Sequence, residues 1–126
     1  MAMTPEAKVK KKVVAILKEA GAYFFYPVTG GYGRSGVPDI IACYMGVFMG
    51  IECKAGNNKP TPLQQVNLDQ IARAGGMSRV INEDNIDDVT AMLQIAERQV
   101  GVHKRDAVER NGVYYKWIEG YWKEDV

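Results

Sequence analysis

VPDIIACYMGVFMGIECKAG, residues 37–56, decides how this chain is read. Pro38-Asp39 heads one apolar run, Glu52-Cys53-Lys54 ends the next, and Met45-Gly46 is the reversal between them. Two apolar runs about so short a break predict a β-hairpin. Side chains alternate along a strand, so Glu52 and Lys54 leave one face and Cys53 leaves the other. Folding back at Met45-Gly46 brings Asp39 and Glu52 to the same end of neighbouring strands, where two carboxylates and one ammonium share a small volume.

That combination points to one chemistry. Two carboxylates and a backbone carbonyl, here that of Cys53, are hard oxygen ligands of the kind Mg²⁺ accepts while it keeps waters for exchange. A metal so held polarises a phosphoryl oxygen and acidifies a bound water, and a lysine beside it orients that water or offsets the developing charge. Phosphodiester hydrolysis is the reaction this set serves. A lone E-x-K is more simply a same-face ion pair on an exposed strand edge. What distinguishes this one is the Pro-Asp at hairpin distance upstream, entered through a glycine-rich loop.

The bulk composition sets the frame. At 126 residues the chain is one domain with room for a real core. Its 47% hydrophobic and 25% charged content are those of an ordinary globular protein. A net charge of +1 identifies no partner, but Lys8, Lys10, Lys11 and Lys12 form a basic cluster that suits either a solvated helix face or a nucleic-acid backbone. Cys43 and Cys53 lack metal-site spacing and are expected to be small buried residues of strands. His103 is the only histidine, which leaves little material for a histidine zinc site or a Ser-His-Asp triad, and it is expected at the surface. No signal peptide is read ahead of Thr4, and the longest apolar stretch, residues 40–51, is too short to cross a bilayer and is broken by Gly46 and Gly50. The expected location is a reducing cytoplasm, away from membranes.

The elements follow in order. Thr4 caps a first helix with Pro5 at its first position, and the helix runs to residue 19 or 20 before Gly21. Val9, Val13, Ile16, Leu17 and Ala20 recur at the helical period. Glu6 falls on that apolar stripe, which makes it either a favourable charge at the positive helix end or a third carboxylate reaching the hairpin. Residues 22–28, rich in aromatics, read as a first strand, with Pro27 marking an edge or an end. Gly31, Gly33 and Gly36 then match G-x-G-x-x-G, but Val37-Pro38 leads into a strand rather than a helix, so the dinucleotide fingerprint fails, and no G-K-[ST] follows. The glycines suit a closely approaching loop at the mouth of the site, where Arg34 and Ser35 either touch a phosphate or form a plain surface turn.

Beyond the hairpin, residues 55–60 form a polar loop carrying Lys59. A second helix covers residues 61–74 and ends at Gly75-Gly76; Thr61 and Gln64 match a capping box, although Gln64 also shares a face with Leu68 and Ile71 and so with the hairpin. Residues 78–81 read as a fourth strand. Ile86, Val89, Leu93 and Ala96 mark a third helix capped by Asp84 or Asn85 and ending near Gly101. The order helix, three strands, helix, strand, helix gives an α/β sandwich about a small mixed sheet. After it, Asn111-Gly112 predicts a type I′ hairpin, and Tyr114, Tyr115, Trp117, Tyr121 and Trp122 suit packing on the chain's own core, a subunit interface or stacking on unpaired bases.

Gly36-Val37-Pro38-Asp39, then Glu52-Cys53-Lys54, then a helix opening Thr61-Pro62-Leu63-Gln64, all behind a helix bearing Glu6, resembles the PD-(D/E)XK nucleases. More narrowly the chain looks like the VRR-NUC family, the virus-type replication-repair nucleases, over residues 4–96. The resemblance implies a restriction-endonuclease-like fold in residues 1–100, with residues 101–126 as an extension on the core or at a dimer interface. It implies that Asp39, Glu52 and the Cys53 carbonyl hold Mg²⁺ or Mn²⁺, that Lys54 assists the attacking water, and that Gln64 and Glu6 join the active site. Lys8, Lys11, Lys12, Arg34, Ser35 and Lys59 are the candidate DNA contacts. The expected activity is that of a structure-specific endodeoxyribonuclease of a phage or prophage that cuts four-way (Holliday) junctions as a homodimer, with or without a helicase partner. A C₂ dimer gives a two-fold junction its two cuts. The alternatives are a general or restriction-like nuclease and a binding module without catalysis. Asp39, Glu52 and Lys54 are all present, which argues against the last.

Overall fold

The computed structural model describes residues 3–28, 33–103, 108–110, 113–118 and 121–124, with side-chain surroundings through residue 99. Helix α1 (Pro5–Ala20) starts as its sequence dictates, Thr4 accepting from the Ala7 N–H at 3.1 Å with Pro5 behind it. It stops at Gly21, whose φ of 79° lets the Gly21 and Ala22 N–H groups turn back onto the Lys18 and Leu17 carbonyls. Val9, Val13 and Leu17 are buried on its inner face.

Four strands form one sheet in the order β1-β2-β3-β4. β2 (Ile40–Tyr44) and β3 (Val47–Cys53) are antiparallel, with Ile40 opposite Ile51 and Tyr44 opposite Val47. The loop between them is Met45-Gly46, both at positive φ (52° and 77°), the backbone of a type I′ turn. β4 (Met77–Ile81) lies parallel to β3, and α2 (Pro62–Arg73) is the crossover that such a pair requires. The helix–strand order expected for residues 1–100 is thus the observed one. β1 is shorter than expected, Tyr23–Phe25 against residues 22–28. Pro27 cannot donate to a ladder, and Tyr26 lies outside the strand with the Lys10 ammonium 4.3 Å from its ring centre.

Strand parity divides the core. Ile40, Ala42, Met49, Ile51, Cys53 and Ile81 pack with α1 and with Val89, Met92, Leu93 and Ala96 of α3 (Asp87–His103). The other face meets α2. There Gly50 presents no side chain, and a Cβ would lie 2.5 Å from Ile71 Cδ1 and 3.0 Å from Pro38 Cγ. Cys43 departs from expectation: it is exposed, its parity putting it on this second face, opposite Phe48. α3 begins at Asp87 rather than beside Asp84 or Asn85. The Asn85 side chain instead accepts from the Asn82 N–H at 2.7 Å and donates to the Val80 carbonyl at 2.9 Å, closing the turn after β4.

Beyond α3, β5 (Val108–Arg110), β6 (Val113–Ile118) and β7 (Tyr121–Glu124) form an antiparallel meander rather than a single hairpin. Arg110 pairs with Val113, the register that a two-residue turn at Asn111-Gly112 would give; the turn itself lies outside the described residues, as do the aromatic side chains of these strands and that of His103. No helix among the described residues is long and apolar enough to cross a membrane.

The close approach at Gly50 generates a test. Gly50→Val should destabilise the fold by about 1–3 kcal/mol, read as a lower urea midpoint at unchanged m-value, because Pro38 and Ile71 already fill the space.

Candidate metal centre

The hairpin delivers two acids to one end of the sheet. Asp39 precedes β2 and Glu52 is the penultimate residue of β3, and continuing the ladder one step past the Ile40–Ile51 pair sets them opposite each other on the same face. The third acid comes from α1. One carboxylate oxygen from each of Glu6, Asp39 and Glu52 lies within 4.8 Å of the other two. Glu6 therefore sits both in the first turn of α1 and in this acidic cluster, so the two sequence readings of it describe one position.

Each carboxylate is held differently. Asp39 Oδ2 accepts the Cys53 N–H at 2.9 Å, which fixes the rotamer of one acid on the strand bearing the other. Glu52 is 1% exposed. Lys54 Nζ stands 3.9 Å from its Oε1, an ion pair beyond hydrogen-bond range, and its Oε2 is buried with no hydrogen-bond partner. Burial pushes the Glu52 carboxyl from 4.5 up to about 8; the neighbouring Asp39 carboxyl adds to the rise, Lys54 opposes it and Glu6 contributes to it. Cys53 points the other way, into the core, where burial and then the charges of Asp39 and Glu52 push its thiol up to about 12. The side chain at this position is inert while its backbone faces the acids.

This donor set fits a hard divalent cation. Three carboxylates converge, and one of their oxygens is desolvated without a donor, an arrangement that is costly unless a cation or a proton completes it.

The remaining sequence candidates make other contacts or are exposed. Gln64 completes the capping box of α2, its Oε1 accepting from the Thr61 N–H at 2.9 Å while its own N–H donates to Thr61 Oγ1 at 3.2 Å. Among the described residues no hydrogen bond joins it to Asp39, Glu52 or Lys54. Lys8, Lys11, Lys12 and Lys59 are exposed. Arg34 donates to Gln70 Oε1 on α2, and Ser35 offers its carbonyl to Asn67 Nδ2 at 3.2 Å. Asn67 was not singled out from sequence. It is 5% exposed and also donates to the Leu63 carbonyl at 2.9 Å, so it pins the glycine loop to α2 just ahead of Asp39. The available signal was an amide at helical spacing between Leu63 and Ile71, on an otherwise apolar face.

No family model matches the chain, and no curated protein does. Among solved structures it is similar to one described as a VRR_NUC domain, at 23% identity and a TM-score of 0.58, covering 73% of this chain and 97% of that one. The fold expected from the motif order is the fold found.

Two outcomes are expected. Because the folded Glu52 carboxyl titrates at about 8 against 4.5 unfolded, the folded state binds the extra proton, and stability in chelator should fall as pH rises through that window. A divalent cation must displace that proton, so the rise in Tm on adding Mg²⁺ or Mn²⁺ should be larger near the top of the window than at its middle, and Glu52→Gln should abolish both dependences. Gln64→Ala should lower stability by ~0.3–1.5 kcal/mol and leave turnover by the folded variant unchanged; a fall in kcat where the variant is fully folded would assign the amide a second role at the acids.

Proposed function

We propose that this chain, which has the fold of a VRR_NUC domain, is a member of the VRR-NUC family and a metal-dependent endonuclease that hydrolyses DNA phosphodiester bonds, with branched DNA, four-way junctions above all, as its substrate and a homodimer as its working form. The observation that carries the reading is the convergence of Glu6, Asp39 and Glu52, one carboxylate oxygen of each within 4.8 Å of the others, together with a buried Glu52 oxygen that has no donor. Fold alone would not carry it, since one fold hosts many activities.

Asp39, Glu52 and the Cys53 carbonyl would hold Mg²⁺ or Mn²⁺, with Glu6 as a further acid at the same cluster. When bound, such an ion supplies Lewis acidity toward a phosphoryl oxygen and lowers the pKa of water. The chain's own residues do the rest. The Cys53 N–H holds Asp39 in place, so the acid does not have to be reordered during turnover. Lys54, partly buried beside Glu52, offers a positive charge and N–H donors where an attacking water or a pentavalent phosphate would develop negative charge. The exposed Lys8, Lys11 and Lys12 lie on the helix that contributes Glu6, and with Lys59 they give the backbone of a long DNA substrate places to rest outside the acids.

Cleavage of end-labelled four-way junction, flap, duplex and single-stranded DNA tests the reading. Cutting should require Mg²⁺ or Mn²⁺, should be strongest on the junction, and should disappear in Asp39→Asn and Glu52→Gln while both variants still bind DNA. Lys54→Ala should lower kcat by about 10²–10³-fold. Unchanged cutting by either acid variant would remove the site assignment, cutting without structural preference would leave a general nuclease, and a monomeric mass in light scattering would remove the dimer.

A further inference from the structure

The face of the sheet that bears Glu52 also carries a cavity of about 460 Å³ farther along β3. Phe48, Ile71, Arg34, Gln70 and Asn67 are among its lining residues. Phe48 is 48% exposed although it lies in a strand, so part of its side chain meets solvent. Arg34 donates to Gln70 on the same wall, and its guanidinium has five N–H donors in all. Asn67, buried, fixes the loop that carries Arg34. The cavity therefore combines an aromatic side chain, a cation and an apolar floor.

Its position relative to the acids is set by the strand. Phe48 and Glu52 share a face four residues apart, ~13 Å along β3, and Arg34 lies on the segment that leads to Asp39. A DNA strand with a phosphate at the acids reaches this cavity within a few nucleotides. A base within a continuous duplex has both faces stacked and cannot lie on the Phe48 ring, whereas an unpaired base can, with its phosphate on Arg34.

We propose that this cavity is a subsite for one unpaired nucleotide of the DNA strand, stacked on Phe48 and clamped by Arg34, and that it sets a preference for branched or frayed DNA over continuous duplex. The proposal rests on the nuclease reading above for its substrate class. It differs from a role in catalysis: Phe48 and Arg34 bind and position, away from the reacting atoms.

The experiment measures binding in an Asp39→Asn background, in which the side-chain oxygen still accepts the Cys53 N–H, using blunt duplex and the same duplex with an unpaired end carrying the fluorescent base 2-aminopurine. Cleavage by otherwise unaltered protein is followed in parallel on both DNAs. Phe48→Ala should weaken binding of the unpaired end by about 5- to 150-fold, abolish the fluorescence change of the probe and leave duplex affinity unchanged; Phe48→Trp should restore both signals. In cleavage, Phe48→Ala should raise KM for the unpaired substrate and spare kcat. Equal affinities and an equal probe signal in Phe48→Ala overturn the subsite, and if the parent protein still cuts, the nuclease reading stands without it. Phe48-dependent binding of the unpaired base by a protein that cuts no DNA under either metal upholds the subsite and overturns the nuclease reading.

Discussion

Glu52 is 1% exposed, faces Asp39 across the hairpin and keeps one oxygen without a hydrogen-bond donor. An unsatisfied buried polar group costs about 1–3 kcal/mol, more when it is charged, and a second acid beside it raises that cost. Nothing in packing the sheet needs a carboxyl there; Ile51 and Cys53 on either side fill the core without one. The surrounding structure is arranged about the cost. Asp39 is held by a backbone N–H, Lys54 brings a partly buried ammonium to 3.9 Å, and α1 starts close enough to add Glu6. Three acids and one lysine are thus assembled in one place at some expense in stability, a cost that a bound cation or a retained proton on Glu52 would offset.

The two faces of the sheet are used unequally. α1 and α3 together seal one, and the core there is continuous from Val9 through Ile40 and Ile51 to Ala96. On the other, α2 packs over β3 and β4, leaving Cys43 and Phe48 exposed. Asp39 and Glu52 belong to this second face by parity, since Phe48, Gly50 and Glu52 alternate with Met49, Ile51 and Cys53. The same alternation that gives the fold its core puts Asp39 and Glu52 on the face that α1 and α3 do not seal, where Glu6 meets them at the end of the sheet.

That alternation is also why so much could be read from sequence. Glu52 and Lys54 against Cys53, a two-residue turn at Met45-Gly46, the caps at Thr4 and Thr61 and the glycine stop at Gly21 are local statements, and local chemistry settled them. The convergence of Asp39 and Glu52 followed from the turn because a hairpin fixes register. What could not be read depended on distant partners. Cys43 is exposed on the sheet face that α2 covers only in part, β1 ends early with Tyr26 beside Lys10, and the Asn85 side chain closes a turn after β4 instead of capping α3. Gln64 had two readings on local grounds; the observed hydrogen bonds use it as the cap. Asn67 is an unremarked helical amide in sequence and becomes a loop anchor only when residues 33–36 are laid against α2.

Cys53 shows how tightly backbone and side chain divide their work here. Its thiol, pushed up to about 12, lies in the apolar core and takes no part in acid–base or metal chemistry near neutral pH. Its N–H holds Asp39, and the next N–H, that of Lys54, donates to the Ile81 carbonyl at 2.9 Å. The position thus constrains its side chain only by volume, whereas its backbone is constrained from both sides, by an acid of the site and by the parallel strand. Any small apolar residue would satisfy the first requirement; proline, lacking the N–H, would lose the bond to Asp39. The free choice of residue between Glu52 and Lys54 is therefore a consequence of strand geometry: the chemistry at that position is carried by the main chain.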